Sequence, residues 1–281
     1  MTSLRYRIVN VFTQGRDRLS GNPLCVFERG EGLDDTTMQA LARQLNLSET
    51  TFILPSSRAS AHVRIFTPRY EMAFAGHPTL GTAFVCRALG LAGDSVTLEM
   101  KAGLIPVTAA GDRFTLQANA PTWRELEMTR AELATALGLE AADVGERPLW
   151  VRAGTEQLIV PLTNEAAVRR ALPRAGAFDS MPGQDGPGMA YVFAETGNGR
   201  LLSRFFFPQG SAILEDPATG SATANLGGFC LATGRALPCA FEISQGEYTG
   251  RPSTLFLKVE ADRRILVSGD VIELGTGRFE L

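Results

Sequence analysis

At 281 residues, 44% hydrophobic and 20% charged, the chain can bury the core of one large or two ordinary domains and is too apolar for a disordered one. Its net charge of −3, with no acidic or basic block, excludes the electrostatic footprint of a nucleic-acid binder. Its four cysteines, Cys25, Cys86, Cys230 and Cys239, have neither zinc-ligand nor disulfide-frame spacing.

In chain order, RYRIVNVF opens with the period-two alternation of a strand and not with a signal peptide. A surface helix follows Asp34, with Met38, Leu41, Ala42 and Leu45 on one face. At its end, LNLSETTFILP places Ser48, Glu49 and Thr50 at a helix-to-strand junction. A glutamate there is ordinarily solvated, but one aimed into an apolar pocket has its pKa raised and can act as acid and base in turn. AHVRIF and SVTLEM read as strands on either side of RIFTPRYEMAFAGHPTLGTAFVCRALG. The helix in that segment carries apolar or small residues on every face, the mark of a wholly buried helix. A second surface helix starts at Thr129, in a capping-box pattern with Glu132, and ends near Gly138. PLWVRAG, TLFLKVEA and RILVSGDVIEL supply further strands. No apolar run is long enough to span a membrane, so a cytoplasmic protein is expected.

The segment RFFFPQGSAILEDPATGSATANLGGFCLATG repeats the first helical segment at an offset of 139 residues, about half the chain. His77-Pro78 answers Asp216-Pro217, and Gly81-Thr82-Ala83 answers Gly220-Ser221-Ala222. The series predicts two halves, 1–120 and 121–281, with the closing strand able to cross back to the first. Asp216 reads as an N-cap with Pro217 at the first helical position, and His77 as its counterpart. Two such helix starts offer backbone N–H groups and positive dipole ends to an anion around Gly76–His77 and Thr219–Gly220–Ser221, with Thr82 nearby. The structural alternative is that Gly81 and Gly220 only permit tight helix–sheet packing, and that Asp216 is only a cap. Glu215 either faces solvent or anchors the corner.

The stretches FTQGRDRLSGNPLCVF, SETTF, FTPRYEMAFAGHPTLGTA, FFPQGSAILEDPATGSA and QGEYTGRPS, in this order, resemble the PhzF family of phenazine-biosynthesis-type isomerases. The resemblance implies an α+β fold of two pseudo-symmetric half-barrels like those of diaminopimelate epimerase. Each would be a curved, mostly antiparallel sheet around a central helix, with the active site in the cleft between them. It also implies a homodimer, no metal or organic cofactor, and a small anionic substrate. It places the acid/base glutamate on Glu49 and the supporting polar groups on His77, Asp216 and Ser221. Gly76, Gly220, Thr219 and Thr82 complete the expected substrate contacts. No cysteine stands at a matched helix corner, which argues against a two-thiol racemase. The expected function is a cofactor-independent isomerase moving a proton within a small carboxylate. The alternatives are a non-catalytic binding module of the same fold and a non-thiol epimerase.

Overall fold

The structure, a computed structural model, describes residues 3–179, 181–184 and 186–281. In chain order its elements are β1 (Ser3–Val11), β2 (Asn22–Phe27), α1 (Asp35–Leu45), β3 (Thr50–Leu54), β4 (Ala61–Phe66), β5 (Glu71–Met72), α2 (Gly76–Ala88), β6 (Ser95–Met100), β7 (Gly103–Ala110) and β8 (Arg113–Gln117). There follow β9 (Thr122–Glu125), α3 (Arg130–Leu137), β10 (Leu149–Arg152), β11 (Glu156–Pro161), α4 (Glu165–Arg170), β12 (Ala190–Gly197), β13 (Arg200–Gln209), β14 (Ala212–Asp216), α5 (Gly220–Ala232), β15 (Cys239–Gln245), β16 (Ser253–Val259) and β17 (Ile265–Glu280). The fold is α+β, and contacts divide it into two units, Met1–Gln117 with Ser268–Leu281, and Ala118–Val267.

In the first unit the sheet closes. The ladder runs β17–β1–β2–β3–β4–β6–β7–β8 and returns from β8 to β17, an eight-stranded barrel without an open edge. β2–β3 and β4–β6 are parallel, which makes the barrel mixed. α2 fills it: His77–Ala83, Val85 and Cys86 are all buried, as expected of a helix with no polar face. α1 lies outside, capped by Asp34, whose carboxylate accepts from the Thr37 N–H at 2.8 Å. Its buried face, Met38, Leu41 and Ala42, packs with Phe27, Phe52 and Phe66.

Gly81 sits mid-helix in α2 because the barrel wall leaves no room for a side chain. A Cβ there would lie 2.6 Å from Leu24 Cδ2 and 2.9 Å from Val11 Cγ2. Gly81→Ala is expected to lose a net ~1 kcal/mol in urea unfolding, an overpacking cost of about 2 reduced by about 1 of helix propensity. An unchanged midpoint would show that the wall yields.

The second unit carries the ladder β9–β10–β11–β12–β13–β15–β16, with β14 hydrogen-bonded to β13. β11–β12 and β13–β15 are its parallel pairs. α5 is buried over most of its length and packs on β9, β10, β11 and β16. α3, with the Thr129–Glu132 capping box and a left-handed Gly138 at its end, packs with α4 on Trp150, Leu158, Val160 and Val192.

Element by element, the two units repeat one plan: two antiparallel strands, a helix, a parallel step to a strand pair, a hairpin, the central helix, then a second parallel step. The register of the repeat corrects the sequence reading. α2 and α5 both have 13 residues, and they begin at Gly76 and Gly220, an offset of 144 and not 139. Their details agree at 144. Thr79 Oγ1 bonds Ala75 O at 2.7 Å and Thr223 Oγ1 bonds Thr219 O at 3.2 Å, and each helix is followed by a left-handed glycine, Gly90 or Gly234. The difference arises in the hairpin before the helix. Phe66 pairs with Glu71 in the first unit, whereas Phe206 pairs with Glu215 in the second, so the β13–β14 turn is four residues longer. Asp216 is therefore not the N-cap of α5, and Pro217 is not its first residue. Asp216 ends β14 and Thr219 is the cap. His77 is likewise not a cap but the second residue of α2, after the cap Ala75, and its positional counterpart is Ser221.

Candidate functional site

Glu49 occupies the short link between α1 and β3. α1 is stopped by Asn46 in a left-handed conformation (φ 52°), and four residues later the chain enters β3 at Thr50. The Glu49 side chain is 17% exposed, and its Oε2 lies 3.4 Å from His77 Nδ1. That distance is long for a hydrogen bond. Oε2 is buried without a hydrogen-bond partner among the described residues. Burial raises the Glu49 pKa to about 7, with a hydrogen bond from Ser48 acting in the opposite direction. Such a carboxyl is present in both protonation states at neutral pH. His77 is buried at the start of α2, where no side chain caps the helix and no acidic residue stands in the first turn. Pro78 follows it and brings no N–H of its own. The Gly76 N–H is among the first of the helix, which have no intrahelical acceptor.

In the second unit, the first turn of α5 is also without a side-chain cap or an acidic residue. Thr219 Oγ1 donates to Asp216 Oδ2 at 2.5 Å. Gln245, from the end of β15, holds both residues. Its Oε1 accepts from the Thr219 N–H at 3.3 Å, and its Nε2 donates to Thr219 Oγ1 at 3.0 Å and to Asp216 O at 2.9 Å. Because a backbone N–H fixes which end of the Gln245 amide is oxygen, the Thr219 hydroxyl proton points to Asp216, whose Oδ2 is an acceptor. Ser221, the second residue of α5, accepts from Gln157 Nε2 at 3.0 Å.

Of the residues singled out in the sequence, the structure brings Glu49 and His77 together in the first unit and Asp216 and Thr219 together in the second. Gly76 and Gly220 begin the two central helices. Thr82 is not at a helix start: it is wholly buried in α2, with its hydroxyl bonded to that of Thr51 at 2.8 Å. Gly81 belongs to the core packing and not to the ligand side. Glu215 anchors the corner through a two-point ion pair with Arg204. The sequence reading missed Gln157, Asn225, Gln245 and Arg204. Arg204–Glu215 repeats Arg64–Glu71, so the echo carried a signal for it. The three amides left no comparable trace.

The thiols on the central helices lie away from the helix starts. Cys86 and Cys230 are each the eleventh residue of a central helix, about 15 Å along it from the first. Burial pushes both, and Cys25, up to about 12. No group of three or more His, Cys, Asp or Glu that could hold a metal ion occurs among the described residues, and none of their helices is long and apolar enough to cross a membrane.

Comparison with known proteins matches residues 9–277 to the family described as phenazine biosynthesis-like protein, PhzC-PhzF. An uncharacterized isomerase of Pasteurella multocida is 37% identical, over 99% of this chain and 95% of its own. Trans-2,3-dihydro-3-hydroxyanthranilate isomerase of Pseudomonas aeruginosa is 36% identical, over 99% of both. Among solved structures, a PhzF-family phenazine biosynthesis protein of Bacillus anthracis superposes with a TM-score of 0.85 at 24% identity, over 100% of each chain.

Proposed function

Since the chain belongs to the phenazine biosynthesis-like, PhzC-PhzF family and is an isomerase of that family, we propose that it moves a proton within a small conjugated carboxylate, with Glu49 as the shuttle. The observation that carries this reading is the buried Glu49 carboxyl, raised to about 7 and set beside His77 with Oε2 unbonded. As carboxylate, Glu49 takes a proton from an sp³ carbon. The C–H electron pair enters the conjugated system and its charge spreads to the substrate's oxygens. As carboxylic acid, Glu49 then returns the proton to a different carbon, so the double bonds shift and the enzyme is regenerated without a redox partner. Ser221 and the N–H groups at Gly220 and Gly76 stabilise the anion, and Asp216 accepts from a donor on the substrate. His77 orients the Glu49 carboxyl.

The relatives' names suggest the substrate to try first, trans-2,3-dihydro-3-hydroxyanthranilate. Incubated in D2O and followed by NMR, it is expected to give a product with hydrogen moved between carbons, and kcat/KM is expected to rise with pH through about 7 as Glu49 becomes the carboxylate. Inversion at one carbon with no double-bond shift would replace the proposal with an epimerase. A substrate that binds and neither moves nor exchanges a proton, across a panel of conjugated small acids, would favour a binding module.

A further inference from the structure

Ser221 is held by a chain of buried amides whose polarity can be read from one fixed end to the other. The fixed end is the backbone. The Ala153 N–H can only donate, and it donates to Asn225 Oδ1 at 2.7 Å. Asn225, on α5, must then present Nδ2 on its other side, and it donates to Thr155 O at 3.0 Å and to Gln157 Oε1 at 2.8 Å. Gln157, on β11, has its oxygen fixed by that bond, so the group facing Ser221 is the Nε2 donor, at 3.0 Å. Gln157 is 2% exposed and Asn225 is fully buried, so no bulk water competes for these groups.

The consequence falls on the hydroxyl. A serine oxygen has one proton and two lone pairs. With a lone pair taken by Gln157 Nε2, an N–H donor that cannot accept, the Ser221 proton has no place on that side. Nor does it bond back along the helix, as the hydroxyls of Thr79 and Thr223 do. Among the described residues it has no acceptor, and Ser221 is partly exposed at the first turn of α5.

We propose that Gln157 and Asn225 are positioning residues that hold Ser221 as an obligate hydrogen-bond donor to an anionic oxygen of the ligand. The relay rests on the reading above, in which Ser221 meets the substrate. It sets Ser221 opposite in sense to Asp216, which the Gln245–Thr219 pair holds as an acceptor. The hydroxyl of Ser221 is thus turned toward a carboxylate before the ligand arrives, without a reorientation cost on binding.

The test reads binding of anthranilate, followed by its own fluorescence, against aniline, which lacks the carboxylate. Gln157→Met removes the Nε2 donor while keeping length and leaving Asn225 its bond to Thr155 O. It is expected to weaken anthranilate about tenfold, the scale of a hydrogen bond to a charged group, and to leave aniline unchanged. In a Ser221→Ala background the same substitution is expected to cost nothing more, because the relay acts only through that hydroxyl. Equal losses for both ligands, or a full additional loss in the Ser221→Ala background, would mean a packing role and overturn the proposal. A neutron structure of the ligand-free, deuterated enzyme decides the polarity without any variant. Deuterons on Gln157 Nε2 facing Ser221 are expected, and the amide oxygen there would sink the relay. If the unaltered enzyme failed to bind anthranilate, the ligand reading would fall while the neutron map still judged the relay.

Discussion

Glu49→Gln is expected to do two opposite things: to reduce proton transfer at least 10²–10⁴-fold, and to make the protein more stable at alkaline pH. The first follows from the removal of the exchangeable carboxyl proton in a general acid–base mechanism, where one positioned group contributes about that factor. The second follows from linkage. The Glu49 carboxyl titrates near 4.5 when unfolded and at about 7 in the fold, because burial disfavours its charge. The folded state therefore holds the proton more tightly. Below pH 4.5 both states are protonated and Glu49 carries no penalty. Between 4.5 and 7 the unfolded chain ionises first and stability falls. Above 7 the full difference is lost, and at 1.36 kcal/mol per unit it amounts to about 3 kcal/mol. A neutral amide of the same shape does not titrate, so the variant is expected to melt higher than the unaltered protein at pH 8, with the gain shrinking toward pH 5. Thermal melts at the two pH values, beside a D2O exchange assay, separate the outcomes. The same melting difference at both would show that Glu49 is not held as a strained acid, and exchange at the unaltered rate would remove it from the chemistry.

What could be read from sequence was what local rules determine. Asp34 and Thr129 mark helix starts because a cap bonds to N–H groups within its own turn, and both caps are present. The central helices were visible because a helix without a polar face has few places to be except inside. Asp216-Pro217 followed the same local rule and misled, because a longer hairpin extends β14 through Asp216 and leaves the capping position to Thr219. Pairing of Phe206 with Glu215 outweighed the preference of the Asp-Pro pair. That register error also set His77 against Asp216, when the helices align it with Ser221. Gln157, Asn225 and Gln245 could not be found by pattern. None belongs to a local motif, and the partners that justify them lie at Thr155 and Ser221, or at Asp216 and Thr219, across distances no window spans. Glu49 was marked by its resemblance to the family, and the fold adds the reason such a group would be reactive.

Arg204→Met is expected to be among the most destabilising single substitutions in the second unit, about 3–5 kcal/mol, the cost of breaking a buried ion pair by removing one partner. The Arg204 and Glu215 side chains are 8% and 12% exposed and meet through two parallel bonds, 3.0 and 2.7 Å. The remaining Arg204 nitrogen, Nη1, donates to the carbonyls of Ala171 at 2.6 Å and Arg169 at 3.1 Å, which end α4 and favour a cation. Its plane lies over the rings of Phe206 and Tyr248, 4.8 and 4.2 Å from their centroids. Methionine keeps part of the packing and none of the bonds, leaving Glu215 charged and those carbonyls without this donor. The repeat supplies an internal control. Arg64 makes the matching two-point pair with Glu71 and stacks on Phe66, but Lys101 also reaches Glu71, at 2.5 Å. After Arg64→Met, Glu71 keeps a cationic partner, so the loss is expected to be smaller than at Arg204. Urea unfolding of the two variants measures the difference directly. Equal losses would show that Lys101 does not compensate for the missing guanidinium. Because Glu215 immediately precedes Asp216 on β14, Arg204→Met is also expected to weaken anthranilate binding at temperatures where the fold persists. An Arg204→Met protein that binds anthranilate as tightly as the unaltered one would separate Asp216 from the ion pair that anchors its strand.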